Sequence, residues 1–214
     1  MRPVRIALSG KMGSGKSTAA EMVATAGAVR VSFAEPLRTL YNLRDTDVSD
    51  PRGWLWVASL FQPPEHVHVQ DAYTAWRDAA SRELLGRWTR RQFFQQLGMH
   101  YRGLWPDVWV ECLLARGAAA NPDVTCVVDD LRFGNEATAL RGADFALVRC
   151  VCPDELMLER LQARDGSVPP TSELHHVSET ELDHWSQWDY QLDTSGTVDE
   201  LRPRVQAMIE ELTR

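Results

Sequence analysis

Residues 10–17 read Gly-Lys-Met-Gly-Ser-Gly-Lys-Ser, and this stretch decides the fold. It satisfies the pattern G-x-x-x-x-G-K-[ST], in which glycines let backbone N–H groups turn inward around an anion. The apolar residues 3–9 predict a buried strand before the loop, and residues 16–26 predict a helix after it. This strand, loop and helix order is the context that the motif requires for binding phosphate groups.

Each part of this loop has a separate physical role in holding the phosphates of ATP. The backbone N–H groups and the start of the helix direct partial positive charge toward the phosphates. Lys16 can reach the β- and γ-phosphates, and the Ser17 hydroxyl can hold Mg²⁺. We therefore predict an ATP site with Mg²⁺ as its cofactor, formed by Gly10, Lys11, Gly13, Ser14, Gly15, Lys16, Ser17 and Thr18.

The rest of the chain alternates between predicted strands and predicted helices. Further strands are expected at residues 28–33, 124–128, 145–151 and 188–193, and helices at 34–44, 91–97, 107–116, 136–141, 153–164 and from Thr197 onward. Such alternation is typical of a parallel sheet covered by helices on both faces. We predict an α/β P-loop NTPase fold over residues 1–214, with an insertion at 45–90 and a lid at about 160–180.

Composition limits the classes of function. The 214 residues carry a net charge of −7, which argues against a protein that coats nucleic acids. Of the 23 Lys and Arg residues only Lys11 and Lys16 are lysines, so 21 are arginines. No apolar run reaches the roughly 18–20 residues of a membrane span, and no secretion signal is expected. We therefore expect a cytoplasmic protein whose four cysteines are buried thiols.

Two aspartates follow the predicted strand 124–128. A carboxylate at the carboxyl end of a parallel strand would face the Mg²⁺ that ATP carries, together with Ser17. We select Asp130 as that ligand from a family resemblance and not from this geometry. The choice between Asp129 and Asp130 stays open. A guanine-reading N-K-x-D motif is impossible because Lys16 is the last lysine, which excludes the GTPase switches.

Two arginines are candidates for a lid over the phosphates. Arg160 and Arg164 are four residues apart in a predicted helix and therefore share one face. In small-molecule kinases such lid arginines neutralise charge on the transferring phosphoryl group. The alternative is a solvated helix face.

Six stretches of the chain together are similar to one enzyme family. They are GKMGSGKST (10–18), SFAEPLR (32–38), RQFFQQLGMHYR (91–102), DVWV (107–110), DDLRFGNEA (129–137) and HHVSE (175–179). In this order they resemble the bacteriophage-type deoxynucleoside monophosphate kinases, within the nucleoside and nucleotide kinase group of P-loop proteins. The tryptophan-rich residues 45–89 have no match in that family.

The resemblance implies transfer of the γ-phosphoryl group of ATP to a deoxynucleoside 5′-monophosphate. Carried over by motif position, the substrate-binding residues would be Phe33, Glu35, Arg91, Gln95, Arg102, Arg132, Asn135 and Glu136. Arg132 would grip the acceptor phosphate, since a guanidinium matches phosphate geometry. Phe33 would stack on a base or belong to the core, and the loop Thr194-Ser195-Gly196 resembles one that cups the donor adenine.

The implied mechanism needs no strong base, because an acceptor monophosphate is already anionic. Catalysis would then be alignment and charge neutralisation by Lys16, Arg132, Arg160, Arg164 and Asp130. The partners would be ATP and a deoxynucleoside monophosphate, with no membrane or nucleic-acid partner. A second copy of the chain could pair through the Trp54–Phe61 stretch.

Other functions remain open at this point. A kinase acting on a hydroxyl, either of a nucleoside or of a hydroxymethylated base in DNA, would benefit from a carboxylate base such as Glu35. A dephospho-coenzyme A kinase is a further small kinase of this group. The non-enzymatic alternative is a regulatory module that binds ATP without transferring its phosphate.

Overall fold

The structure, a computed structural model, describes residues 3–45, 51–60 and 69–214. Across these residues a parallel sheet is formed by β1 (Arg5–Ser9), β2 (Val29–Val31), β3 (Cys126–Leu131), β4 (Ala146–Val151) and β5 (Tyr190–Asp193). The strand order is β2-β3-β1-β4-β5, so β1 lies between β3 and β4. The predicted strands and the P-loop NTPase fold are confirmed.

The helices of the described residues connect and cover these strands. They are α1 (Lys16–Thr25), α2 (Glu35–Asn42), α3 (Pro51–Leu60), α4 (Val69–Leu84), α5 (Arg90–Leu104), α6 (Val108–Leu114), α7 (Gly117–Ala120), α8 (Gly134–Gly142), α9 (Asp154–Asp165), α10 (Thr171–Leu174), α11 (Val177–Thr180) and α12 (Val198–Leu212). A 3₁₀ turn, Glu181–His184, follows α11. Among these helices none combines the length and apolarity that crossing a membrane would need.

Helices cover both faces of the sheet. Every residue of β1 is buried, which explains the consecutive apolar residues Ile6, Ala7 and Leu8 at its centre. Ile6, Leu8 and Val148 share one core with residues of α1 and α12. Ala7 and Leu147 are the neighbours of these strand residues and point to the opposite face of the sheet. They are also completely buried, so the second face is covered too.

The chain divides into two compact units. The first, called here the phosphate-loop unit, comprises residues 1–32 and 113–214 and contains the sheet. The second, called the helical unit, is Phe33–Cys112. The insertion predicted at 45–90 lies inside this helical unit, which begins earlier in the chain and ends later. The lid predicted at about 160–180 corresponds to the end of α9 with α10 and α11.

The helical unit is joined internally by buried aromatic side chains. Trp76 of α4 donates its indole N–H to the Leu40 carbonyl at 2.9 Å, and Tyr101 of α5 donates its hydroxyl to the Ala72 carbonyl at 2.9 Å. These bonds satisfy the polar atoms of two fully buried rings. Trp76 therefore serves packing. Of the predicted pairing stretch, Phe61 lies outside the described residues.

The last helix begins where its capping residues place it. Glu200 donates its backbone N–H to the Thr197 hydroxyl at 3.3 Å, and its carboxylate accepts the Thr197 N–H at 2.7 Å. This capping box satisfies the first turn, so α12 starts at Val198 and contains Pro203. We expected Pro203 either to delay the start of the helix to about Arg202 or to kink the helix. The expectation of a delayed start is wrong.

Candidate active site

The loop between β1 and α1 depends on glycine at three positions. Gly10, Gly13 and Gly15 have φ values of 152°, 75° and 82°, a region that other residues rarely adopt. A Cβ on Gly10 would lie 2.8 Å from the Cys150 carbonyl oxygen, and one on Gly13 would lie 2.5 Å from that of Met157. The loop is therefore packed closely against the end of β4 and against α9.

Several polar groups of the loop and of α1 are available to bind an anion. The N-terminus of α1 has no side-chain cap, so its first N–H groups have no acceptor within the helix. The Ser14 hydroxyl is buried and has no hydrogen-bond partner among the described residues. Ser17 and Thr18 expose their side chains beside it. This donor set fits the phosphates of ATP.

Lys16 is held inside the loop that it belongs to. Its side chain is buried, with 7% of the residue exposed, and the ammonium donates to the carbonyls of Gly10 and Lys11, the latter at 2.7 Å. Burial and, to a smaller extent, the positive charge of Arg132 lower the pKa of Lys16 to about 8, against the opposing effect of the negative charge of Glu179. Bound phosphate oxygens would supply the negative charge that this buried ammonium lacks.

The two aspartates of β3 occupy different surroundings. Ala7 pairs with Val128 and Ser9 with Leu131, so β3 bulges at Asp129 and Asp130. Asp129 is 5% exposed, its Oδ2 pairs with Arg30, and its Oδ1 has no partner among the described residues. Asp130 is more exposed and accepts the Ser32 hydroxyl at 2.6 Å.

Both aspartates stay candidates for Mg²⁺, with Asp130 still our predicted ligand. Mg²⁺ takes one or two carboxylates together with phosphate oxygens and water, rather than a cage made only of protein ligands. In keeping with this, the described residues contain no group of three His, Cys, Asp or Glu side chains that could hold a metal. Asp129 is the alternative because its Oδ1 is buried without a donor.

Arg132 follows β3, and hydrogen bonds hold both its backbone N–H and its guanidinium. The buried Glu136 carboxylate accepts the backbone N–H groups of Arg132 at 2.8 Å and of Phe133 at 3.0 Å. The Arg132 guanidinium pairs with Glu179 and donates to the Ser178 carbonyl at 2.9 Å. The Glu136 carboxylate therefore caps α8 and places Arg132, because one of its oxygens accepts both amides. Its role as a substrate ligand stays a prediction.

The two predicted lid arginines differ. Arg160 donates to the carbonyls of Thr194 at 2.9 Å and Gly196 at 3.0 Å, and its Nη1 would lie 3.5 Å from a Cβ on Gly15. It therefore holds the loop predicted to cup the adenine and lies close to Gly15 of the phosphate loop. Arg164 pairs with its neighbour Asp165 at 2.7 Å and is 58% exposed, as the solvated-face alternative predicts.

The acceptor residues implied by the resemblance divide between the two units. In the helical unit, Arg91, Gln95 and Arg102 recur at helical spacing along one face of α5 and are partly buried. Phe33 is 5% exposed, as expected of a core residue, and the exposed Glu35 pairs with Arg38 at 3.2 Å. The phosphate-loop unit contains Arg132, Glu136 and the partly buried Asn135.

Sequence reasoning missed two charged residues of the site. Arg149 of β4 donates to the Ser9 hydroxyl at 3.2 Å and to Asp183 at 2.7 Å. Asp183 also pairs with Lys11 at 3.6 Å. A signal was available for Arg149, because a charged residue in an apolar strand beside β1 lies near the carboxyl edge where parallel α/β sheets bind ligands.

The chain is similar in fold to solved structures, two of which are described as kinases. No protein-family model and no curated protein matches it. A gluconokinase from Sinorhizobium meliloti 1021 is 18% identical with a TM-score of 0.51, covering 98% of this chain and 93% of its own. A dephospho-CoA kinase from Campylobacter jejuni is 13% identical with a TM-score of 0.51, covering 97% and 96%. A Thermus thermophilus protein is 18% identical with a TM-score of 0.52, covering 100% of both chains.

These likenesses show the fold alone, because the identities are low. The P-loop fold of this chain is carried by its own strand, phosphate loop and helix at the centre of a parallel sheet.

Proposed function

We propose that this protein transfers the γ-phosphoryl group of ATP to a deoxynucleoside 5′-monophosphate. The observation that carries the proposal is that Lys16, in the loop after β1, and Arg132, directly after β3, follow the carboxyl ends of two paired parallel strands. Two cations at this edge of the sheet suit a reaction that brings two phosphate groups together.

The donor side of the reaction uses the loop and its neighbours. Backbone N–H groups at the start of α1 and the Lys16 ammonium hold the β- and γ-phosphates. Mg²⁺ bound with ATP would be held by Ser17 and by Asp130 or Asp129, and would neutralise charge on the phosphates. Arg160 supports the loop at Thr194 and Gly196, where the adenine is proposed to bind.

The acceptor side of the reaction uses guanidinium groups. Arg132 has a fixed backbone and a fixed guanidinium, so it can receive a phosphate without the entropy cost of ordering a mobile side chain. Arg91, Gln95 and Arg102 supply the polar face of α5 for the rest of the nucleotide. No base is required, since the attacking phosphate oxygen is already charged.

A hydroxyl acceptor is the second candidate, because Glu35 exposes its carboxylate at the start of α2. A carboxylate in solvent could accept a proton from an attacking hydroxyl. Under this alternative the products would be a nucleoside monophosphate or phosphorylated DNA. Glu35→Gln would then abolish transfer, whereas phosphate acceptors would require no such base.

A panel of acceptors tests the proposal. The protein is incubated with ATP, Mg²⁺ and one acceptor at a time. The acceptors are each deoxynucleoside monophosphate, each nucleoside and hydroxymethylated DNA. We expect diphosphates from one or more monophosphates and no product from the neutral acceptors. Transfer only to hydroxyls would replace the proposal with the second candidate. ATP binding with no transfer to any acceptor would leave a regulatory module as the function.

A further inference from the structure

Residues 175–179, His-His-Val-Ser-Glu, match the resembled family but have no role in the reaction described so far. In the structure His176 precedes α11, and its Nδ1 lies 2.9 Å from the Ser178 hydroxyl and 3.3 Å from the Ser178 N–H. The histidine therefore fixes the turn at which α11 begins. This local order sets the direction of the two groups that follow, the Ser178 carbonyl and the Glu179 carboxylate.

Glu179 connects two parts of the candidate site. One carboxylate oxygen pairs with the Arg132 guanidinium, and the other accepts the Met12 backbone N–H of the phosphate loop at 2.9 Å. The side chain of Glu179 is 4% exposed. Ser178 adds its carbonyl as a second acceptor for the same Arg132 nitrogen at 2.9 Å. A single buried carboxylate thus holds an arginine and the loop at once.

We propose that Glu179 is a positioning residue that fixes the Arg132 guanidinium relative to the phosphate loop for phosphoryl transfer. The inference rests on the proposed function, because it assigns Arg132 to a phosphate group of the reaction. Glu179 touches no substrate in this account and acts through Arg132 and Met12. Its contribution is a fixed distance between the arginine and the loop that holds the donor.

The charges around Glu179 support this role. The positive charges of Lys16 and Arg132 repel each other, which lowers the pKa of Lys16. The negative charge of Glu179 raises that pKa and so favours the charged form of Lys16. A buried carboxylate of this kind is stable only while its partners remain in place. The two cations can therefore stay close together before any phosphate binds.

Asp183 forms a similar but weaker bridge one turn later. It pairs with Lys11 of the loop at 3.6 Å and with Arg149 of β4 at 2.7 Å, but its side chain is 27% exposed. Solvent screens such a pair, and exposed pairs contribute little. The inference therefore rests on Glu179, which is the more deeply buried of the two.

A double-mutant cycle in the full-length protein tests the inference. The variants are Glu179→Gln, Arg132→Gln and the double variant, with Glu181→Gln as a control on an exposed carboxylate of the same segment. We expect Glu179→Gln to lower kcat by about 10–100-fold with the KM for ATP nearly unchanged, because one charge-assisted bond is lost. In the double variant kcat should fall no further than in Arg132→Gln.

Two kinetic results would overturn the inference. If the losses of the two single variants multiply in the double variant, Glu179 does not act through Arg132. If Glu179→Gln raises kcat or tightens ATP binding, Glu179 competes with the nucleotide for the Met12 N–H instead of positioning the site. Circular dichroism of each variant shows that it is folded before the comparison is made.

Amide hydrogen exchange tests the same contact without any phosphoryl transfer. Glu179→Ala should expose the Met12 amide to exchange at least about tenfold faster, and Glu179→Gln should restore protection because its amide oxygen still accepts that N–H. Unchanged exchange in Glu179→Ala would contradict the positioning role. Failure of the protein to phosphorylate any acceptor would refute the proposed function. Hydrogen exchange at the Met12 amide would still decide the role of Glu179.

Discussion

The phosphate-loop unit and the helical unit use charged residues in different ways. In the phosphate-loop unit, Lys16, Arg132 and Glu179 are brought together from separate points of the chain, and two of them are buried. In the helical unit, Arg44 pairs with Glu83 at 2.7 Å and lies 3.9 Å from the centre of the Tyr41 ring. The first arrangement leaves charge for a ligand, whereas the second joins helices to one another.

The proposed function implies a division of labour. The phosphate-loop unit binds the donor and, through Arg132, the acceptor phosphate, whereas the helical unit recognises the rest of the acceptor nucleotide through the polar face of α5. Variants in each unit should therefore change different kinetic constants.

The largest effect is expected from Lys16→Ala in the phosphate-loop unit. Removing the only buried ammonium of the loop should lower phosphoryl transfer by about 10³-fold or more, since charge stabilisation dominates such reactions. Lys11→Ala is the matched control, because Lys11 is half exposed and pairs with Asp183 only at 3.6 Å. Its loss should cost a few-fold at most. Equal effects of the two variants, or full activity of Lys16→Ala, would contradict the donor assignment.

The second effect is expected in the helical unit. Arg91→Gln or Arg102→Gln should raise the KM for the acceptor by about 10–100-fold while leaving the KM for ATP unchanged, because each loses a charge-assisted hydrogen bond. Arg87→Gln, an exposed arginine before α5, is the control. Steady-state kinetics with each substrate varied in turn separates the constants. A rise in the KM for ATP with no change in the KM for the acceptor would contradict the division of labour between the two units.

The third effect is a pH dependence of ATP binding. The pKa of Lys16 is lowered to about 8, and the charged form is the one that binds phosphate, so affinity should fall as the pH rises through 8. Between pH 7 and pH 9 the loss should be about tenfold, as the neutral form comes to predominate. Calorimetric titration with ATP and Mg²⁺ measures it. The Lys16→Ala variant should show no such decrease, and a flat wild-type profile would contradict the lowered pKa.

The smallest effect is expected in α9, where replacing one of two arginines should change the KM for ATP more than replacing the other. Arg160→Gln should raise the KM for ATP by about tenfold, because it loses its bonds to the loop at Thr194 and Gly196. Arg164→Gln should stay within about twofold, since its exposed pair with Asp165 contributes little. If Arg164→Gln has the larger effect on kcat, the conformation with Arg164 paired in solvent is not the one that reacts.

The sequence predicts the phosphate-loop unit well because local rules decide its parts. Strand β1 is buried throughout and apolar at its centre, the glycines of the loop need positive φ values, and Thr197 with Glu200 marks the start of α12. Each of these features depends on residues that are neighbours in the chain. The same reasoning overestimated Pro203, because a capping box outweighs one missing helical hydrogen bond.

Roles that depend on distant partners could not be predicted. The segment at Glu179 was noticed only as part of a family match, since nothing local shows that its carboxylate reaches Met12. Glu136 stays a predicted ligand, and the sequence alone does not show that its carboxylate caps α8, because capping and ligand binding use the same group. In the helical unit the described part of the tryptophan-rich stretch forms α3 and α4, and its packing through Trp76 depends on tertiary contacts that no short motif encodes.

Phosphorus NMR of one reaction mixture tests the central claim most directly. The protein is incubated with ATP, Mg²⁺ and a deoxynucleoside monophosphate that serves as acceptor, and all phosphorus species are followed together. The account predicts one molecule of deoxynucleoside diphosphate for each ADP formed, with no inorganic phosphate. ADP accompanied by inorganic phosphate, or unchanged ATP with every deoxynucleoside monophosphate, would contradict it.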